Sequence, residues 1–427
     1  MSDQPFAGIT VIEFGQFIAV PYCATLLADG GATVIKVEPL EGEPTRHLAP
    51  LLPGETRHFL SRNRGKRSLP LQLSHPETGR ILDALLAEAD VVLTNLRPGL
   101  AAQLGLDFAQ LSARYPRLVV GNVTAFGEKG PDSSLAGMDL VVQARSGLLA
   151  SNGRQRDGLP VAPDSPIADY MCAALLAFGV ATALYRRSET GRGSEVDVTL
   201  LQAALALQNN LMIRVESVDG PTHTATKEWL AEARASGVPY VEQAAHVPGI
   251  RTAGMTSIYY RTFATKDEAI AVACVSPGLQ RRLMEAVGLQ DAALGNAITD
   301  RAELARHYAA LQATMEATMA SRTTAEWRAV FDAAGIPASE VRFPLEMLDD
   351  EQVAANGFVH DLPHPRLGPV RVLSSPLRID KAGFTPGAPV APFGSDTRGI
   401  LAGAGFTEAE VERFIESGAT LALDDSG

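Results

Sequence analysis

The chain has 427 residues, 46% of them apolar and 20% charged, and a formal net charge of −12. That length exceeds one ordinary hydrophobic core and implies two domains, or one domain carrying a smaller insertion. The acidic balance argues against nucleic acid as a main partner, because phosphate binding needs a basic field, yet a local basic cluster could still hold a small anion. Cys23, Cys172 and Cys274 lack metal-ligand spacing and read as reduced thiols of a cytoplasmic protein. No metal site is expected: His360 and His364 are four apart, but Pro363 and Pro365 spoil a helical ligand face. The polar start Met1-Ser2-Asp3-Gln4-Pro5 lacks a signal-peptide pattern. The longest apolar stretch, Met171 to Tyr185, is interrupted by Gly179 and reads as too short to span a bilayer, so no membrane partner is expected.

Ile9 to Phe14 is a β-rich run followed by Gly15, a helical pattern then leads to Asp29, and Thr33 to Glu38 is a second strand. Pro76 opens a helix with Ile81, Leu82, Leu85, Leu86 and Ala89 on one stripe. Val91 to Thr94 returns to strand, Phe108 to Tyr115 to helix and Leu118 to Val123 to strand. This alternation predicts an α/β fold, a parallel sheet with helices on its faces. Asp169 to Arg187 is a long helix by composition, stopped by Thr190-Gly191-Arg192-Gly193 before a strand at Glu195 to Val198. Leu200 to Val215 is helical again, whereas Gly220 to Gly254 is loosely patterned and reads as a linker or insertion with a short helix at Trp229 to Arg234. Ile258 to Phe263 and Ala269 to Val275 flank Lys266-Asp267-Glu268 as a hairpin. Helices at Gly278 to Val287, Arg301 to Met319 and Thr324 to Ala334 complete a smaller α/β domain. From Ser339 the chain is rich in Pro and Gly, with a strand at Val370 to Leu373, and it ends in a helix opened by a capping box, Thr407 to Glu410.

The strand–Gly–helix start at Phe14-Gly15-Gln16-Phe17-Ile18-Ala19 lacks the second and third glycines of a dinucleotide loop, so nicotinamide binding is not supported. Arg62-Asn63-Arg64-Gly65-Lys66-Arg67 packs four cations into six residues, either a solvated loop or a patch for an anionic ligand. Asn95-Leu96-Arg97-Pro98-Gly99 follows a strand directly, where ligands bind in parallel sheets and where an ordinary turn would also carry Pro-Gly. Asp169 opens an almost wholly apolar helix. It reads either as a first-turn aspartate or as a covalent nucleophile at the mouth of a buried helix.

In order along nearly the whole chain, these segments resemble the family III (CaiB/BaiF-type) CoA-transferases. The resemblance is carried by the run from Leu27 to Pro39, by Asn63-x-x-Lys66-Arg67-Ser68 and by Asn95-x-Arg97-Pro98-Gly99. Phe126-Gly127-x-x-Gly130-Pro131, Ile167-Ala168-Asp169, Ala183-Leu184-Tyr185-Arg186-Arg187, Thr190-Gly191-Arg192-Gly193, Val196-Asp197-Val198 and Gly394-Ser395-Asp396-Thr397 continue it. It implies a Rossmann-like large domain built from both chain ends, a smaller α/β domain from the middle, and an interlocked homodimer. The expected division is 1–200 for the first part of the large domain, 201–253 for a linker helix and insertion, 254–335 for the small domain and 336–427 for the return segment. The resemblance implies transfer of CoA between an acyl-CoA donor and a carboxylic acid acceptor, the thioester being substrate and no cofactor being held permanently. It gives Asp169 the role of catalytic aspartate and places Ile18, Ala19, Lys66, Asn95, Leu96, Arg97, Leu104 and Met138 where CoA is held. Gln103 stands where some relatives have a CoA-contacting arginine, and a Gly-rich loop covering the aspartate has no clear counterpart.

The nearest rival is a 2-methylacyl-CoA racemase, which on this fold pairs the aspartate with a histidine in a Gly-His-Asp triplet. Here the triplet is Gly137-Met138-Asp139, and methionine cannot carry a proton. A non-catalytic CoA-binding relative is the third reading.

Overall fold

Six short extended runs pair into one sheet in the computed structural model, which describes residues 4–247, 257–294, 298–380, 382–384 and 386–423. They are β1 (Thr10–Phe14), β2 (Thr33–Glu38), β3 (Lys66–Pro70), β4 (Val91–Thr94), β5 (Val119–Thr124) and β6 (Glu195–Thr199). Their spatial order is β6-β5-β4-β1-β2-β3, and every neighbouring pair is parallel. The order reverses between β1 and β4, so the loops leaving those strands diverge and open a crevice at their carboxyl ends. The sheet therefore has the predicted Rossmann-like form.

The helices around it are α1 (Ala19–Asp29), α2 (Arg57–Asn63), α3 (Thr78–Ala87), α4 (Pro98–Gln103), α5 (Phe108–Arg114), α6 (Asp139–Ser146), α7 (Ile167–Thr190) and α8 (Leu200–Ala206). Successive strand residues point to opposite faces, and both faces here are covered. Val11, Val34 and Val91 join a core with Leu27 of α1, Leu176 and Val180 of α7 and Ala203 of α8. Ile12, Ile35 and Val92 join the opposite core with Ile81 and Leu85 of α3, Leu111 of α5, and Ile400, Leu401, Val411 and Phe414 from the end of the chain. The chain end is tied to β3 as well: Thr420 donates to the Pro70 carbonyl at 2.5 Å, and the Asp396 carboxylate accepts the Ser68 N–H at 3.0 Å. The capping box at Thr407 and Glu410 is present as predicted.

Gly179 does not break α7, which runs 24 residues and is, by length and composition, apolar enough to cross a membrane. The short apolar stretch expected there is thus corrected. Gly179 lets helix and strand approach: a Cβ at that position would lie 2.5 Å from Cγ1 of Val196 in β6. The helix puts Ala168, Cys172, Leu176 and Val180 into the core, as a central helix of a globular domain does.

Two further expectations are corrected after β6. The helix expected over 200–215 ends at Ala206, gives way to a 3-10 turn at Asn209–Met212 and is extended at Ile213. The loosely patterned insertion contains a 20-residue helix, α9 (Glu216–Ala235), and a short one, α10 (Tyr240–His246), held together by Trp229 stacked on His246 at 3.7 Å. Residues 248–254 of that segment lie outside the described residues. Pro221 lies inside α9, past its first turn, and the helix continues through it.

By internal contacts the chain divides into Met1–Ile250 with Ala354–Gly427, and Arg251–Val353. In the second unit the predicted hairpin, Tyr260–Ala264 with Ala269–Ala273, is antiparallel. A third strand, Ala338–Glu340, pairs with the latter. That pairing carries the small unit past the return expected at residue 336. Phe263, Ile270, Leu283, Met315, Trp327 and Phe331 form its core. In the first unit the strand expected at 370–373 is Gly368–Leu373, paired with Val359–His364. The extended backbone there puts His360 and His364 on no helical face.

Candidate active site

A cavity of about 90 Å³ sits at the carboxyl ends of β1, β4 and β5, beside the reversal in strand order. Five residues singled out in the sequence line it together: Ile18, Ala19, Asn95, Met138 and Asp169. The loop between β1 and α1 forms one wall. The Asn95 side chain fixes it from the neighbouring strand, accepting the Gln16 N–H at 3.0 Å and donating to the Gln16 carbonyl at 2.8 Å. Between the clamp and the helix, Phe17 has φ 66, a left-handed conformation that a bulky side chain seldom adopts. Such strain persists where the surroundings hold it, and it turns Ile18 and Ala19 into the cavity.

Asp169 is the third residue of α7 and only 8% exposed. Burial pushes its carboxyl up, the Asp139 carboxylate nearby adds to the effect, and Arg62 of α2 opposes it; the pKa lies at about 7. A carboxylate near neutrality in a lined cavity can be both ionised and reactive at physiological pH. Among the residues lining this cavity, Asp169 is the single titratable one.

Four other expected residues are elsewhere. Leu96 and Leu104 are half-buried against the core on the opposite face of the sheet, and Arg97, exposed, stands at the N-terminus of α4. Lys66, expected where CoA is held, is buried beneath the β1–α1 segment. Its Nζ lies 2.7 Å from Glu13 Oε2 and donates to Asn63 Oδ1 and the Pro21 carbonyl, each at 2.8 Å. The basic cluster as a whole turns inward, and neither the solvated loop nor the open anion patch describes it. Arg64 pairs with Asp29 at 2.6 Å. Arg62 donates from Nε to the Tyr170 hydroxyl at 3.3 Å, and Arg67 alone of the four cations is half-exposed. A run of cations in the sequence cannot show that buried acids on β1 and α1 await them.

Tyr170, next to the candidate nucleophile, packs edge-to-face on Tyr22 of α1 with ring centroids 5.0 Å apart. The two rings also line a larger cavity of about 570 Å³ in the same unit, with Arg57, Leu60, Val370 and Val372. That volume is in the ordinary range for small-molecule sites. Tyr22 and Tyr170 were not legible as site residues, because helices α1 and α7 bring them together from positions far apart in sequence.

Residues 6–397 match the sequence profile described as CoA-transferase family III. The chain is 29% identical over 416 residues to cinnamoyl-CoA:phenyllactate CoA-transferase of Clostridium sporogenes, covering 95% of each protein. It is 31% identical over 388 residues to the succinyl-CoA–L-malate CoA-transferase beta subunit of Chloroflexus aurantiacus, covering 90% of this chain and 89% of that one. A crystal structure of a CaiB/BaiF family protein from Brucella suis superposes with a TM-score of 0.73 at 25% identity, over 94% of this chain and 100% of that one.

Proposed function

The chain belongs to CoA-transferase family III, and from that premise we propose that it passes CoA from a thioester to a free acid through covalent intermediates on Asp169. The Asp169 carboxylate attacks the thioester carbonyl; a C–O bond forms, the C–S bond breaks, and CoA leaves as thiolate from a mixed anhydride. The thiolate attacks the aspartyl carbonyl, releases the donor acid as carboxylate and leaves an aspartyl-CoA thioester. The acceptor carboxylate then attacks that thioester, giving a second mixed anhydride and a thiolate. Attack of the thiolate on the acceptor's acyl carbon frees Asp169 and completes the new acyl-CoA. Each step exchanges one activated acyl bond for another, so the thioester's energy is kept.

One observation carries this reading: the carboxylate of Asp169, poised near neutrality, lines a cavity at the strand reversal together with Ile18, Ala19, Asn95 and Met138. These four would hold the reacting end of CoA. Leu96, Arg97 and Leu104, along the loop and helix after β4, would follow the rest of it. Lys66 serves instead as a buried support, bonding the Pro21 carbonyl of α1. An isomerase would need a second base, and the lining residues offer no titratable partner for Asp169. The resemblance also implies an interlocked homodimer, and Phe178 (72% exposed) and Tyr185 (74%) on α7 are apolar surface that such an assembly would cover.

Intact-protein mass spectrometry after incubation with a panel of acyl-CoAs, aryl and dicarboxylic donors included, tests the proposal. Wild type should gain a hydroxylamine-sensitive acyl or CoA adduct that Asp169→Ala lacks. An adduct retained by Asp169→Ala would sink it, as would Asp169-dependent exchange of an α-proton without any adduct.

A further inference from the structure

Helix α7 starts without a cap of its own: its N-cap residue is Pro166, which makes no capping hydrogen bond. The first N–H groups of a helix have no acceptor within it and form its positive end. Two of them are met from a different element. Oδ1 of Asp139, the first residue of α6, accepts the N–H of Ala168 at 2.9 Å and that of Asp169 at 3.2 Å. Its other oxygen is held by Nε2 of Gln143, one turn along α6 and fully buried. Gly137 permits the approach, since a Cβ there would lie 2.4 Å from the Cβ of Ala125, just past β5.

We propose that Asp139 is a positioning residue for the transfer reaction: it occupies the positive end of α7 in place of Asp169 and leaves the Asp169 carboxylate without those N–H groups and reactive. This inference rests on the covalent reading of Asp169. An aspartate in a first turn ordinarily gains from free N–H groups and the helix dipole, which stabilises its anion and weakens it as a nucleophile. With Asp139 already bonded there, that stabilisation is spent on a neighbour, and the neighbour's own charge repels Asp169. Acylation neutralises Asp169 while the leaving thiolate carries the charge away. The repulsion therefore falls as the C–O bond forms, which favours the transition state over the ground state. Other charged or titratable groups face the pair. Arg62 of α2 opposes Asp139 in its effect on Asp169. Cys172, one turn along α7, has its thiol pushed up to about 12 by burial and then by Asp169, and is neutral. Arg145 of α6 pairs with Asp132 at 2.9 Å.

Asp139→Asn removes the charge and keeps an oxygen for both N–H groups. The Gln143 amide can turn over to receive it, because its Oε1 is buried without a partner. Asp139→Ser, a neutral capping side chain, is a second route to the same end should the asparagine variant fold poorly. Adduct formation on Asp169 is timed by rapid quench and mass spectrometry over roughly pH 5 to 9, with thermal unfolding alongside. In both neutral variants the acid limb of the rate should move to lower pH and the plateau should fall about tenfold, while Asp139→Glu, which keeps the charge, should hold the limb near its wild-type position. A role as structural cap only predicts a wild-type limb and plateau in the neutral variants. That result overturns the inference and leaves the Asp169 chemistry standing. Absence of any adduct in wild type overturns both.

Discussion

Two buried groups of charge, one on β1 to β3 and the segments between them and the other at the starts of α6 and α7, are handled in opposite ways. Below the β1–α1 loop, Lys36 lies 2.9 Å from Glu13 and 2.7 Å from Glu43, and Lys66 lies 2.7 Å from the other oxygen of Glu13. Arg46 makes bonds of 2.7 and 2.8 Å to the two oxygens of Glu38. Burial works against the Lys36 ammonium, but Glu13 and Glu43 outweigh it and its pKa is raised. At Lys66 burial wins and brings the pKa down to about 8 despite Glu13. Asp169 is buried as well, yet its close neighbour Asp139 carries the same sign. A charge that is buried and answered is a strut; one that is buried and crowded by its own kind is kept for chemistry.

Breaking the answered set should have the largest effect on folding. Glu13→Gln strands Lys66 among neutral partners and should cost about 3–5 kcal/mol in urea unfolding at neutral pH. The deficit should shrink above about pH 8, where Lys66 sheds its proton. A variant as stable as wild type would mean the ions do not support one another.

The crowded carboxylate should behave in reverse. Unfolded, Asp169 titrates near the usual 3.8, and folded at about 7, so between those values the folded chain holds a proton that the unfolded chain lacks. Ionising it lowers stability as pH rises through that window, and the full cost is present above about pH 7. Asp169→Asn should therefore be more stable than wild type by roughly 1–3 kcal/mol at alkaline pH, with no difference below the unfolded value. Thermal unfolding at several pH values reads this, and a pH-independent difference would contradict it. The same titration should show in kinetics: adduct formation in wild type should lose about tenfold for each pH unit below the Asp169 pKa. A limb near 4 would place Asp169 among ordinary exposed acids.

The smallest effect belongs to a buried polar group outside both sets. Thr56 caps α2, accepting the Phe59 N–H at 2.9 Å and donating to the Thr45 carbonyl at 2.6 Å. Thr56→Ala should cost about 1 kcal/mol, equally at acid and alkaline pH. A marked pH dependence there would blur the contrast between the two charged sets.

Regular apolar periodicity made β1, β2, β4, β5 and α3 legible, because each pattern repeats within a few residues and each buries the face it predicts. The same logic failed at α9. The segment was too loosely patterned to show a helix: among the described residues of α9 only Gly220 and Ala233 are buried, so little apolar stripe existed to be seen. Asp169 was legible as one acid at the head of an apolar helix, but its pair Asp139 lay 30 positions away in a triplet noted for the methionine beside it. The cations at 62–67 were visible and misplaced, since their partners Glu13 and Asp29 come from another strand and another helix.

Local order determined the α/β alternation, the parallel sheet and the identity of the family, because periodicity and ordered short motifs are properties of contiguous residues. Tertiary structure alone decided which charges are answered and which is left reactive. Burial and pairing depend on side chains that meet only when β1, β3, α2, α6 and α7 are packed, and desolvation, which sets the Asp169 pKa, has no trace in the chain written out as a line.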